Sequence, residues 1–235
     1  ALILTAGWAM AGDISFGLDV KFSASKFWDR IRHYGATQFN AIGAMIPILM
    51  KQPEQPNDAD NPVKIVQSAA CPANLWKAFE KRFNVKIWEG YGAVDGGGVM
   101  ISNPGDAPVG SVGKPAPHIV WKLVDGRGDE VAQGEPGEFI SRVLDKNSGS
   151  VEYYKNPAAT SDKIRGDWLY SGDLFYADPD GNLFFVDRKS DSMRRRGENI
   201  SSWEVENGIE KHPDVAVCAA FGVPSDLGED GVMIW

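Results

Sequence analysis

Asp173 and Arg188 are the two residues whose types and spacing most readily do chemistry. They flank a segment that reads as a hairpin. Leu169 and Tyr170 lead into Gly172 and Asp173, a turn is expected at Asp178, Pro179, Asp180 and Gly181, and the chain returns through Leu183, Phe184, Phe185 and Val186. Antiparallel pairing can bring an acid and an arginine at opposite ends of such a hairpin together. A carboxylate can accept both hydroxyls of a ribose, and a guanidinium grips ribose or phosphate oxygens with a planar fork. The bland alternative is a hairpin with a surface ion pair, the usual reading of one Asp and one Arg. A second turn then opens a helix through Ser201, Ser202, Trp203 and Glu204, which have capping-box spacing.

A second block lies upstream. Gln67, Ser68, Ala69, Ala70, Cys71 and Pro72 precede a helical pattern in which Leu75, Phe79 and Phe83 recur at four-residue steps. Pro72 sits where a helix start tolerates a missing N–H. Val85, Lys86, Ile87 and Trp88 read as a short buried strand running into Glu89, Gly90, Tyr91 and Gly92. Small residues before the helix let a flat base lie against bare backbone, and Tyr91 offers a ring for stacking. Alone, a Gly-Tyr-Gly triplet is mostly a turn. Its weight comes from its company.

The two blocks together resemble the adenylate-forming enzymes: acyl-CoA synthetases, luciferases and the adenylation domains of peptide synthetases. The resemblance runs the whole length of the chain, and the order from Arg195 to Asn207 looks most like the crotonobetaine/carnitine-CoA ligase branch. It implies that Asp173 and Arg188 hold ATP or AMP, and that Ala69, Ala70, Cys71 and Pro72 with Glu89, Gly90, Tyr91 and Gly92 clasp the adenine. It implies a catalytic, magnesium-binding carboxylate at Asp95, a hinge at Asp191, and Gly197 and Glu198 beside the pantetheine arm of coenzyme A. Arg194, Arg195 and Arg196 fall where the family meets coenzyme A. The chemistry implied is attack of a carboxylic acid on the α-phosphate of ATP, giving acyl-adenylate and pyrophosphate, followed by displacement of AMP by the thiol. ATP, Mg2+ and coenzyme A are the implied cofactors and a carboxylic acid the implied substrate; a homo-oligomer is compatible with the family. The family's upstream triphosphate loop and its C-terminal lysine have no match here, so the expectation is an interior piece of a longer ligase, inactive by itself.

One departure stands out. The family's nucleotide loop usually reads Tyr-Gly-x-Thr-Glu, whereas here it is Tyr91, Gly92, Ala93, Val94 and Asp95. Val94 cannot donate a hydroxyl hydrogen bond, and Asp95 is one methylene shorter than Glu. A lost hydrogen bond to a charged group is worth about 1.5–3 kcal/mol, enough to slow adenylation roughly ten- to a hundredfold if it acts in the transition state. A catalytically degenerate nucleotide-binding paralogue is therefore the second reading.

The rest of the chain sets bounds. With 43% hydrophobic and 24% charged residues over 235, the composition is that of a globular protein. A formal charge of −8 argues against non-specific binding of nucleic acid or anionic membranes. Cys71 and Cys218 lie far apart and the three histidines are scattered, so neither a disulfide nor a zinc site is expected, and a reducing cytoplasm fits. The apolar opening, residues 1–12, lacks the basic start of a signal peptide and is too short to span a bilayer. A buried α/β segment is expected there, with Trp8 and Met10 as core residues or, by the resemblance, as wall of an acyl pocket. The expected fold class is α/β: a parallel α/β layer, then a small distorted β-barrel subdomain, then the start of a truncated α+β C-terminal domain. The boundaries are 1–98 for part of a large N-terminal domain, 99–190 for the barrel, and 191–235 for the hinge and beginning of a mobile domain. Within them a helix is expected over 23–33, strands over 36–40, 121–124 and 137–143, a helix with Val205 and Ile209 on one face, and a strand over 215–221 without partners.

Overall fold

The computed structural model of the chain describes residues 7–235 apart from 8, 13, 94, 96–97, 145–150, 190, 196–197, 213, 216 and 225–229. Expectations that rest on Trp8, Val94, Arg196 and Gly197 lie outside the described residues. Two compact units are present, Ala1–Gly92 with Val99–Lys114, and Ala93–Gly98 with Pro115–Trp235.

In the first unit a short 3-10 turn, Ala24–Lys26, leads into α1 (Phe27–Tyr34), then β1 (Gln38–Ile42), α2 (Met45–Met50), β2 (Ile65–Ala69), α3 (Ala73–Phe83) and β3 (Lys86–Ala93). The strands β1, β2 and β3 are parallel neighbours, as crossovers through α2 and α3 require. Two more strands, β4 (Gly98–Asn103) and β5 (Lys114–Pro115), extend the sheet in chain order. Why α3 lies where it does is plain from its residues. Pro72 occupies its N-cap, and Asn84 closes it in the left-handed region at φ 53°. Between them Trp76, Phe79 and Phe83 form one buried face. Phe83 stacks on Trp28 at a centroid distance of 4.4 Å. Arg82, at the end of the same helix, meets Asp58 at 2.7 Å and donates to the carbonyls of Met50, Gln52 and Pro53. A charge held this deep is tolerable because its donors find acceptors.

In the second unit β6 (Ile119–Val124), β7 (Gly137–Val143), β9 (Trp168–Ala177) and β10 (Leu183–Arg188) make a curled antiparallel half-barrel in the order β10-β9-β7-β6. A short helix, α4 (Pro157–Lys163), runs directly into β8 (Ile164–Arg165), which pairs with β9. Phe139, Phe175 and Phe185 meet edge to face across β7, β9 and β10 and form the spine of the core. The turn expected at 178–181 is there. Asp178 accepts from the N–H groups of Asp180 and Asn182, and Gly181 supplies the positive φ of 80°. Beyond it lie the hairpin β11 (Met193–Arg195) and β12 (Glu198–Ile200), α5 (Ser202–Ile209), and the hairpin β13 (Ala220–Pro224) and β14 (Asp230–Ile234).

Several expectations need correction. The helix of 23–33 is a 3-10 turn followed by α1, and the strand expected at 36–40 begins at Gln38. The strand expected over 215–221 starts only at Ala220, and it has a partner in β14. The reason is local: Glu210, the C-cap of α5, accepts the N–H of Cys218, a donor that a longer strand would use, and Glu206 of α5 accepts that of Ala220 where β13 begins. Met10 is 87% exposed rather than buried in a core. Hydropathy reports that a segment favours burial, not what covers it.

Candidate functional site

Asp173 and Arg188 are register partners across β9 and β10, with Nε and Oδ1 4.0 Å apart. A β-bulge between Phe185 and Asp187 brings this about. Up to Phe185, opposite Phe175, the pairing is uninterrupted; continued without the bulge it would set Asp187 against Asp173. One extra residue on the bulged strand shifts the register by one, so that an arginine faces the acid in place of a second acid. The Asp173 side chain is 17% exposed and that of Arg188 70%, so the pair itself adds little stability and the guanidinium is open to solvent. Around Asp173 the backbone is tightly held. Gly172 has φ 79° and donates to Glu138, whose second oxygen takes the Lys189 ammonium at 2.7 Å. The Lys189 N–H in turn donates to the Gly172 carbonyl, and the Asp173 N–H to the Ser171 hydroxyl.

In the first unit, Glu89 organises the turn between β2 and α3. Its carboxylate accepts from the N–H of Ala70 at 2.7 Å and of Cys71 at 3.2 Å. Ala70 is in the left-handed region at φ 72°, an unfavourable conformation for a residue with a Cβ. Burial pushes the Glu89 carboxyl up to about 7, against the hydrogen bonds from Ser68, Cys71, Ala70 and Gly90. Burial likewise pushes the Cys71 thiol far above its ordinary range, which disfavours the thiolate. Ala70 and Cys71 are thus joined to Glu89 by direct contact, with Ala69 at the end of β2 and Pro72 at the N-cap of α3 flanking them, while Gly90, Tyr91 and Gly92 continue along β3.

Asp95 receives a hydrogen bond from the Tyr153 hydroxyl and lies 3.4 Å from the Lys163 ammonium. The Tyr153 hydrogen bond first, and then Lys163, hold its carboxyl below the ordinary value. Lys163 also donates to the Ser171 carbonyl at 3.1 Å, two residues from Asp173. Among the described residues no group of three His, Cys, Asp or Glu could hold a metal unaided. Magnesium is ordinarily held by one or two carboxylates together with substrate phosphates, and the ionised, partly open Asp95 fits that donor chemistry.

Arg188 and Asp191 share a pocket of about 420 Å³ with Ser202, Trp203, Glu206 and Phe221. Asp191 is exposed, and its N–H donates to the Arg188 carbonyl at 3.0 Å. The backbone of Glu198 opens β12. Tyr153, Lys163, Glu138 and Lys189 were not legible as partners of these residues in the sequence, because each contact joins positions tens of residues apart.

Comparison with known proteins shows the family. The family model described as AMP-binding enzyme matches residues 6–143. The chain is 38% identical to the steroid-22-oyl-CoA synthetase of Rhodococcus jostii strain RHA1, over 98% of the chain and 44% of that protein. It is 34% identical to the crotonobetaine/carnitine–CoA ligase of Proteus mirabilis strain HI4320, over 93% of the chain and 43% of the ligase. Among solved structures, the anthranilate CoA ligase AuaEII in complex with anthranoyl-AMP superposes with a TM-score of 0.76 at 28% identity, covering 90% of this chain and 41% of that one. The chain therefore spans less than half the length of these relatives. Among the described residues no helix is long and apolar enough to cross a membrane. With its mixed α/β fold and these matches, the chain belongs to the AMP-binding enzyme family of the adenylate-forming superfamily.

Proposed function

We propose that this chain supplies the nucleotide-binding part of an AMP-forming acid–thiol ligase, which makes an acyl-adenylate from a carboxylic acid and ATP and passes the acyl group to coenzyme A. The observation that carries the reading is the bulge that sets Arg188 against Asp173. Asp173 accepts the ribose hydroxyls, and the exposed Arg188 fork donates to ribose or phosphate oxygens. The turn of Ala69 to Pro72, held open by Glu89, and the ring of Tyr91 take the adenine. Asp95 would hold magnesium, which when bound offsets the charge of the phosphates that the acid must approach. Asp191 is assigned as the hinge and Gly197 and Glu198 as the border of the pantetheine arm. Two free cysteines accord with a reducing cytoplasm as its compartment. The names of the relatives support a carboxylic-acid substrate and its CoA thioester as the product class.

The specific observation that favours a degenerate, nucleotide-binding paralogue is Val94, which has no hydroxyl to offer a phosphate. Calorimetric titration with AMP tests the nucleotide site common to both readings. The chain is expected to bind AMP, and Asp173→Ala to weaken binding roughly ten- to a hundredfold, as loss of a charge-assisted hydrogen bond implies. Equal affinity in the variant contradicts the assignment of Asp173.

A further inference from the structure

Lys163 is the last residue of α4, and the helix holds it in a defined place. Asn156 caps the helix by accepting from Ala159, Pro157 fills its first position, and the Thr160 hydroxyl accepts the Tyr153 N–H. The same short helix therefore controls both partners of Asp95. The Tyr153 hydroxyl donates to Asp95, and Lys163 reaches it at 3.4 Å while donating to the Ser171 carbonyl at 3.1 Å. The Lys163 side chain is only 14% exposed, whereas that of Asp95 is 38% exposed. Lysines ordinarily keep the ammonium in water and bury only the stem. Here the ammonium is drawn back onto a carboxylate and a carbonyl, and it joins the loop after β3 to the strand that carries Asp173.

Asp95 alone is a poor neighbour for a phosphate. Like charges at close range repel, and the repulsion grows as the dielectric falls. An ammonium beside it converts the pair to a neutral unit.

We propose that Lys163 is a positioning residue of the nucleotide site: it ties Asp95 to the Ser171–Asp173 segment and offsets its charge, so that the anionic part of a nucleotide meets a neutral pair. This rests on the nucleotide-binding reading above. It assigns to Lys163 a role that discriminates by ligand charge, which a purely structural lysine would not have.

The test is calorimetric titration of the chain, without added metal, with adenosine, AMP and ATP. Lys163→Gln keeps a hydrogen-bond donor and removes the charge; Lys163→Met removes both; Lys163→Arg retains the charge. With Lys163→Gln, adenosine affinity is expected to stay within about twofold while ATP affinity falls about tenfold or more and AMP lies between. The loss is expected to shrink as salt is raised, since screening weakens the uncompensated repulsion. Lys163→Arg is expected to retain most of the ATP affinity, and adding Asp95→Asn to Lys163→Gln to recover it by removing the acid. Lys163→Met is expected to give the same charge-graded pattern, so either neutral variant suffices if the other does not fold. Equal weakening of adenosine and ATP, or no change in any ligand, overturns the proposal. If the unmodified chain binds AMP in an Asp173-dependent way and only the lysine variants are silent, this inference alone fails. If the unmodified chain binds none of the three, or Asp173→Ala leaves AMP affinity unchanged, the nucleotide-binding reading fails and takes the inference with it.

Discussion

Glu89 sets a pH dependence that can be measured. Its carboxyl is buried and its pKa is pushed up to about 7, from an ordinary value of 4.5. A group whose folded pKa lies above its unfolded value contributes stability that is complete below the unfolded value and lost as pH rises through the folded one. Stability should therefore fall between about pH 4.5 and 7 on account of this residue, by roughly 3 kcal/mol. Glu89→Gln, which cannot ionise, should remove that slope in urea denaturation across the window. The same slope in both proteins would contradict the assignment. At this scale the sequence was partly legible. Asp173 and Arg188 could be matched because a turn lay between them, but Tyr153 and Lys163 could not be joined to Asp95, since the contact is made 58 residues and more away along the chain.

Among the elements, β10 and α5 are joined through side-chain hydrogen bonds. The Asp187 carboxylate accepts the Ser202 N–H at 2.7 Å and its hydroxyl at 3.2 Å, while the Ser201 hydroxyl donates to the Val186 carbonyl and also caps the helix at Glu204. The bulged residue itself thus provides one acceptor. Asp187→Ala leaves the first donor of α5 unpaired, which costs about 1–3 kcal/mol when such a group is buried. Hydrogen exchange is expected to speed up in the amides of α5 and to stay unchanged in β9 and β7. Unchanged protection in α5 would show that Asp187 is not what holds the helix start. Capping at Ser201, the turn at 178–181 and the apolar face of α3 were all readable, because each is written in neighbouring residues. The bulge was not: no Gly or Pro marks Val186, and the shift follows from tertiary contacts. Neither was α2 singled out, a six-residue helix with Pro47 in its first turn, where a missing N–H is tolerated.

For the whole molecule, the sequence conveyed the class of fold because a parallel layer and an antiparallel half-barrel have different periodicities. It conveyed the end of the chain less well. A continuous apolar run such as Val215 to Phe221 does not state where pairing starts, and that start is set by β14, by Glu206 of α5 and by its C-cap Glu210. The proposed hinge at Asp191 stands between the elements that Asp187 and Ser202 join. Any rotation there must therefore first break hydrogen bonds that hold the observed arrangement. The most direct test of the central claim is acid-dependent exchange of labelled pyrophosphate into ATP by the protein that carries this chain. The account predicts exchange only when a carboxylic acid is present, and its near loss in Asp173→Ala. Exchange that needs no acid or ignores Asp173, or no exchange with straight-chain, branched, aromatic and steroid acids, would contradict it.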